Sequence, residues 1–143
     1  MNYIKDGDNF LISMAQDDDV IKSILTVVEK ENLHSAAISG IGAVKDVTLG
    51  FYNLSRKEYD QKPFSGNFEL VSCLGNVSEK EGEPFVHAHV SMSGPDFNTF
   101  SGHLFRAKIA VVGEFVLRPF ENKVVRKMDD DVGLAVWDLY RAG

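Results

Sequence analysis

An α+β fold, a mostly antiparallel or mixed β-sheet covered by one main amphipathic helix, is predicted by three observations. Short apolar runs with period-two alternation recur along the chain. Only one stretch carries an apolar stripe at helical spacing. The segments between the runs are short turns rather than crossover helices, so the strands have to pair largely with their sequence neighbours.

The helix comes first. Asp17-Asp18-Asp19 precedes Val20, Ile21, Ile24, Leu25 and Val28, and this spacing predicts a helix over 18–32 whose acidic start suits the positive end of its dipole. His34 follows it, and a place at a helix C-terminus accounts for that residue. Residues 35–44 and 47–52 are β-type runs punctuated by glycine. Gly40-Ile41-Gly42-Ala43 lacks the third glycine of a dinucleotide-binding turn and precedes a strand, so it reads as a bend or bulge. Ser55-Arg56-Lys57-Glu58 is an exposed turn. Further strands are expected at 59–64, 68–77, 85–93, 99–105 and 107–117, with a last one near 134–139.

The 143 residues are expected to form a single domain, 1–143, with the composition of an ordinary soluble globular protein: 44% hydrophobic and 25% charged. The first residues lack the apolar stretch of a secretory signal and no run is long enough to span a bilayer, so a cytoplasmic location is expected. The one cysteine, Cys73, excludes an intramolecular disulfide. It lies in the apolar alternation of residues 68–74 and reads as a buried thiol. A net charge of −6 argues against a polyanion partner. The best basic cluster, Arg118, Lys123, Arg126 and Lys127, runs straight into Asp129-Asp130-Asp131. Arg126 and Lys127 are nonetheless the residues through which a nucleic acid would be engaged.

The strongest chemical signal is Pro84-Phe85-Val86-His87-Ala88-His89-Val90-Ser91 followed by Ser101-Gly102-His103-Leu104, which holds three of the four histidines. In a strand His87, His89 and Ser91 share one face while Val86, Ala88 and Val90 take the other. The returning strand repeats the pattern with Thr99, Ser101 and His103. Gly94-Pro95-Asp96-Phe97-Asn98 supplies turn chemistry between them. A hairpin closing symmetrically about Asp96 sets His89 opposite His103 and Ser91 opposite Ser101, with His87 one pleat further on. Directly opposed Cβ atoms lie roughly 4.5–5.5 Å apart, so three imidazoles can converge on one ion. Three neutral imidazoles with no fourth protein ligand suit Zn2+ with an open coordination position.

Val111-Val112-Gly113-Glu114-Phe115-Val116-Leu117 sets a carboxylate within an apolar strand. Glu114 can serve beside a metal as a proton-transfer group, orient a ligating histidine, or pair with Arg106 or Arg118. A structural ion pair or an exposed edge position explains it equally well.

Taken in order, Gly40-Ile41-Gly42-Ala43, the run Asn67-Phe68-Glu69-Leu70-Val71-Ser72-Cys73-Leu74-Gly75-Asn76, His87-Ala88-His89, Gly102-His103-Leu104 and Gly113-Glu114-Phe115 resemble the PPC (plants and prokaryotes conserved) domain over nearly the whole chain. Where many members have Gly-Gly-His-Leu, this chain has Ser101-Gly102-His103-Leu104. The resemblance implies a homotrimer with a metal, usually taken as zinc, on His87, His89 and His103. It also implies a candidate DNA-binding or regulatory role, by analogy with plant relatives whose domain accompanies AT-hook segments. No AT-hook occurs here. The implied fold is similar to that of acetolactate decarboxylase, which raises a metal-dependent lyase or hydrolase as the alternative. Its substrate would be a small carbonyl or carboxylate compound, with Glu114 moving a proton and Arg106 or Arg118 binding the anion.

Overall fold

The computed structural model describes residues 1–139. It consists of eight strands and one helix among those residues: β1 (Asn2–Asp6), β2 (Asn9–Ala15), α1 (Val20–Lys30), β3 (Ala36–Asn53), β4 (Glu58–Lys80), β5 (Glu83–Ser93), β6 (Thr99–Pro119), β7 (Val125–Asp129) and β8 (Leu134–Trp137). The mixed sheet with one helix agrees with the expected class. The order along the sheet is β1-β2-β6-β3-β4-β7-β8, and β5 pairs with both β4 and β6. That double pairing closes a ring, β3-β4-β5-β6, which the sequence reading did not anticipate.

Three elements differ from expectation. Residues 2–15 form a hairpin, with Gly7 at φ 58° in the turn and Phe10, Ile12 and Met14 alternating into the core. The two pairs of runs at 59–64 and 68–77, and at 99–105 and 107–117, are each one long strand. Pro63 and Gly66 do not break β4, because the irregularity is taken up as a bulge in β4 itself, where Ser65 and Gly66 stand opposite the single residue Asp46 of β3. The bend expected at Gly40-Ile41-Gly42 is present as a register shift against β4. A Cβ on Gly42, at φ 150°, would lie 2.3 Å from the Val112 carbonyl oxygen. The third difference is β7, which stands where no strand was expected, at the point where the basic cluster runs into Asp129-Asp130-Asp131.

The helix runs from Val20 to Lys30, and the side chain of Asp19 caps it by accepting from the Lys22 amide at 3.0 Å. Its buried face, Val20, Ser23, Ile24, Val27 and Val28, packs against β5 and β6. The core joins these residues to Phe10, Ile38, Val44, Cys73, Met92, Ile109, Phe115 and Leu117. Cys73 is fully buried, and burial pushes its thiol up to about 12, which makes it inert. Among the described residues, no helix is long and apolar enough to cross a membrane.

Candidate metal centre

The β5–β6 hairpin has the symmetric register: His89 opposite His103, Ser91 opposite Ser101 and Ser93 opposite Thr99. Asp96 fixes the turn by accepting from the Asn98 amide at 3.1 Å, and the Phe97 amide donates to the Gly94 carbonyl at 2.9 Å. Ala88 and Val90 are buried, which forces His87 and His89 to the opposite face of β5. The Ser91 and Ser101 hydroxyls meet at 2.8 Å across the hairpin and hold the two strands in that register.

His87, His89 and His103 each offer a ring nitrogen within 4.8 Å of the others. The Nε2 atoms of His87 and His89 are 3.2 Å apart, close to the roughly 3.3 Å spanned by two imidazole ligands about 2.0–2.1 Å from one tetrahedral ion. His103 Nδ1 is buried with no hydrogen-bond partner among the protein groups, as a nitrogen kept for a ligand would be. Its ring packs against both Tyr59 and Phe105, at centroid distances of 4.7 and 4.8 Å, and those two rings also meet each other at 5.1 Å. His87 and His103 are half-buried and His89 is exposed, so the cluster opens to solvent at His89. These residues fit a metal ion with an accessible coordination position.

Their electrostatics favour the neutral rings that ligation needs. Burial, with help from Arg126 and His89, lowers the pKa of His87. Burial and the neighbouring His87, His89 and Arg126 bring His103 down to about 4. In the metal-free protein the depressed His103 value has a definite sign. Between about pH 6.5 and about 4 the unfolded chain binds more protons at this residue, so stability falls as pH drops through that window. Chelator-treated wild type should lose Tm on going from pH 7 to pH 5, and His103→Phe should lose less. Equal losses would remove His103 as the cause.

The other residues singled out in the sequence lie elsewhere. Glu114 is exposed and paired with Ser13 and Ile41, eleven positions from His103 along β6, or about 35 Å of strand within one chain. A proton-transfer role for Glu114 at the centre of its own chain is therefore corrected: the strand's length separates them. Arg106 is exposed beside Thr48, and Arg118 donates to Ser39 Oγ at 3.2 Å. Neither faces the histidines. His34 is exposed and Lys127 is exposed on β7.

Arg126 is the residue whose place was misjudged. Parallel pairing of Lys80 with Arg126 brings β7 alongside β4. The guanidinium turns inward: Nε donates to Ser78 Oγ at 2.8 Å, Nη1 to the Ala135 carbonyl at 2.8 Å and Nη2 to Asn76 Oδ1 at 3.1 Å. Nη2 also lies 3.3 Å from His87 Nδ1. Held this way, Arg126 is part of the histidine site and not a free cation for a nucleic-acid backbone. A cavity of about 450 Å³ adjoins it, lined by His87, His103, Tyr59 and Arg126 together with apolar residues of α1 and β8.

A family model, the Plants and Prokaryotes Conserved (PCC) domain, matches residues 1–121. Among solved structures, a putative DNA-binding protein from Bacteroides thetaiotaomicron superposes with a TM-score of 0.93 at 29% identity, covering 98% of each chain. A plant- and prokaryote-conserved (PPC) protein from Pyrococcus horikoshii gives 0.86 at 36% identity, covering 92% of each. A metal-containing protein from Archaeoglobus fulgidus gives 0.85 at 35% identity, covering 93% of this chain and 94% of that one. No curated protein matches at comparable significance.

Proposed function

The chain belongs to the Plants and Prokaryotes Conserved domain family, and from that premise we propose that it is a metal-binding member, with one Zn2+ held by His87, His89 and His103. The convergence of three ring nitrogens within 4.8 Å carries the reading. The metal-containing relative from Archaeoglobus fulgidus supports it. A homotrimer built from single-domain chains is part of the same proposal. Ile41, Val71, Val111 and Val112 are 53%, 56%, 69% and 42% exposed about the irregular centre of β3, an apolar surface that a partner copy would cover. A cytoplasmic location fits a chain whose one cysteine is a free thiol.

The 450 Å³ cavity beside the histidines favours an enzyme reading, a metal-dependent lyase or hydrolase on an acetolactate-decarboxylase-like fold. A bound divalent ion would supply Lewis-acid polarisation of a carbonyl or carboxylate oxygen. The protein's own residues would bind and orient such a compound and exclude water through the apolar walls. DNA binding rests on the description of the relative from Bacteroides thetaiotaomicron. The net charge of −6 and the inward Arg126 give it no support from this chain.

Elemental analysis of untagged protein, purified without chelator or added metal, is expected to find about one zinc per chain, and His87→Ala and His89→Ala are expected to retain less than a tenth of it. Sedimentation of the same wild-type sample should give three times the 15.9 kDa chain mass. A metal-free wild type, or variants with undiminished metal, overturns the centre.

A further inference from the structure

The cavity beside His87 and His103 has a charge pattern that the metal alone does not explain. Its polar wall carries Lys80 and Arg126 as well as the two histidines, and its apolar wall is built from Ile21 and Leu25 of α1 with Leu134 and Val136 of β8. Among the described residues, no Asp or Glu lines it. The three groups that hold Arg126, Ser78 Oγ, Asn76 Oδ1 and the Ala135 carbonyl, are all neutral, and the guanidinium lies 5.2 Å over the Phe85 ring. They fix its position without compensating its charge. A dication on the histidines would add to a half-buried monocation with another, Lys80, at the same wall. Like charges gathered in a partly dry space are costly until an anion joins them.

The hydrogen bonds indicate where that anion would sit. A guanidinium stays protonated and always donates, so in the metal-free protein His87 Nδ1 is the acceptor for Arg126 Nη2 at 3.3 Å. When His87 ligates through Nε2, its remaining proton must be on Nδ1, and two N–H groups then face each other. Metal loading therefore frees one Nη2 donor of Arg126. A guanidinium donor freed in this way suits a carboxylate oxygen, with which it forms a charge-assisted hydrogen bond.

We propose that Arg126 and Lys80 form the anion-recognition half of this site, which takes the carboxylate of a small organic acid whose apolar body lies against Ile21, Leu25, Leu134 and Val136. The inference rests on the metal reading of the histidines for the release of the Arg126 donor. Arg126 and β8 lie beyond residue 121, where the family match ends, so half of the acid-binding wall comes from the segment after the matched domain.

Titration calorimetry of isovalerate into the zinc-loaded full chain tests this. Saturable binding is expected, weakened at least tenfold in Arg126→Gln and several-fold in Lys80→Gln when each variant is compared with wild type at full zinc loading, with the uncharged amide of isovalerate failing to bind. Arg126→Lys, which keeps the charge and loses the guanidinium, should fall between wild type and Arg126→Gln. Equal affinity for acid and amide, or an Arg126→Gln variant that folds and binds as wild type, overturns the proposal. Inorganic phosphate binding more tightly than isovalerate overturns the organic-acid assignment. Should the chain take up no zinc, weaker but Arg126-dependent isovalerate binding in the metal-free chain would still support the anion half, and its absence would overturn it. Zinc content thus reports on the metal reading, and Arg126 dependence reports on this one.

Discussion

Chelation of the zinc-loaded protein is expected to lower its Tm by roughly 10 °C, and His103→Ala is expected to melt at the same temperature with and without chelator. An ion that binds only the folded chain stabilises it by mass action, by about 4 kcal/mol when its free concentration is a thousand times Kd. In a chain of this length each kcal/mol corresponds to roughly 2–4 °C. His103 is the informative position because its Nδ1 is buried without a partner and its ring is packed against Tyr59 and Phe105. Truncation leaves two imidazoles, too few to hold the ion against water, and also removes ring packing. The variant should therefore begin below the chelated wild type and show no further response. His89→Ala separates the two effects. His89 is exposed, so its loss should abolish the chelator response while leaving the metal-free Tm near that of wild type. A wild type that melts identically with and without chelator would rule out a stabilising ion.

The two halves of this site differ in how far the sequence discloses them, and the reason is contact distance. The histidine half is local. Alternation sets His87 and His89 on one face, Gly94 to Asn98 contains the turn, and closure about Asp96 gives the observed pairing of His89 with His103. The arginine half depends on β7 pairing in parallel with β4, and a five-residue strand of mixed charge has no alternation strong enough to announce that pairing. Arg126 therefore looked like a surface cation. Glu114 was left open by its sequence context, with a role beside a metal and an exposed position fitting equally well, and the structure decides it: Gly113 and Phe115 take the buried positions and the carboxylate faces out. The closed ring β3-β4-β5-β6 was equally hidden, since local patterns identify strands but not which edges meet.

Gly75→Ala is expected to destabilise the protein by about 2–3 kcal/mol and to weaken metal binding at least tenfold, although Gly75 touches no ion. In the β4–β5 ladder Gly75 stands opposite Ala88, between the pairs Leu74–His89 and Asn76–His87. A Cβ there would lie 2.3 Å from the His87 carbonyl oxygen and 2.8 Å from the Ala88 Cα. Both are backbone atoms, so no side-chain rotation relieves the overlap and β5 itself must shift. The shift acts on the residues that carry two of the three imidazoles, whose Nε2 atoms already stand at 3.2 Å, near ligating separation. Gly82→Ala is the matching control. Gly82, at φ 88°, has open space around its Cβ position, so alanine costs backbone strain of about 1 kcal/mol without moving the histidines. Stability should fall in both variants and metal affinity in the first alone. If Gly75→Ala binds zinc as tightly as wild type, the close approach of β4 to β5 does not position His87 and His89. The glycine in Leu74-Gly75-Asn76 would then serve only the packing of the ring.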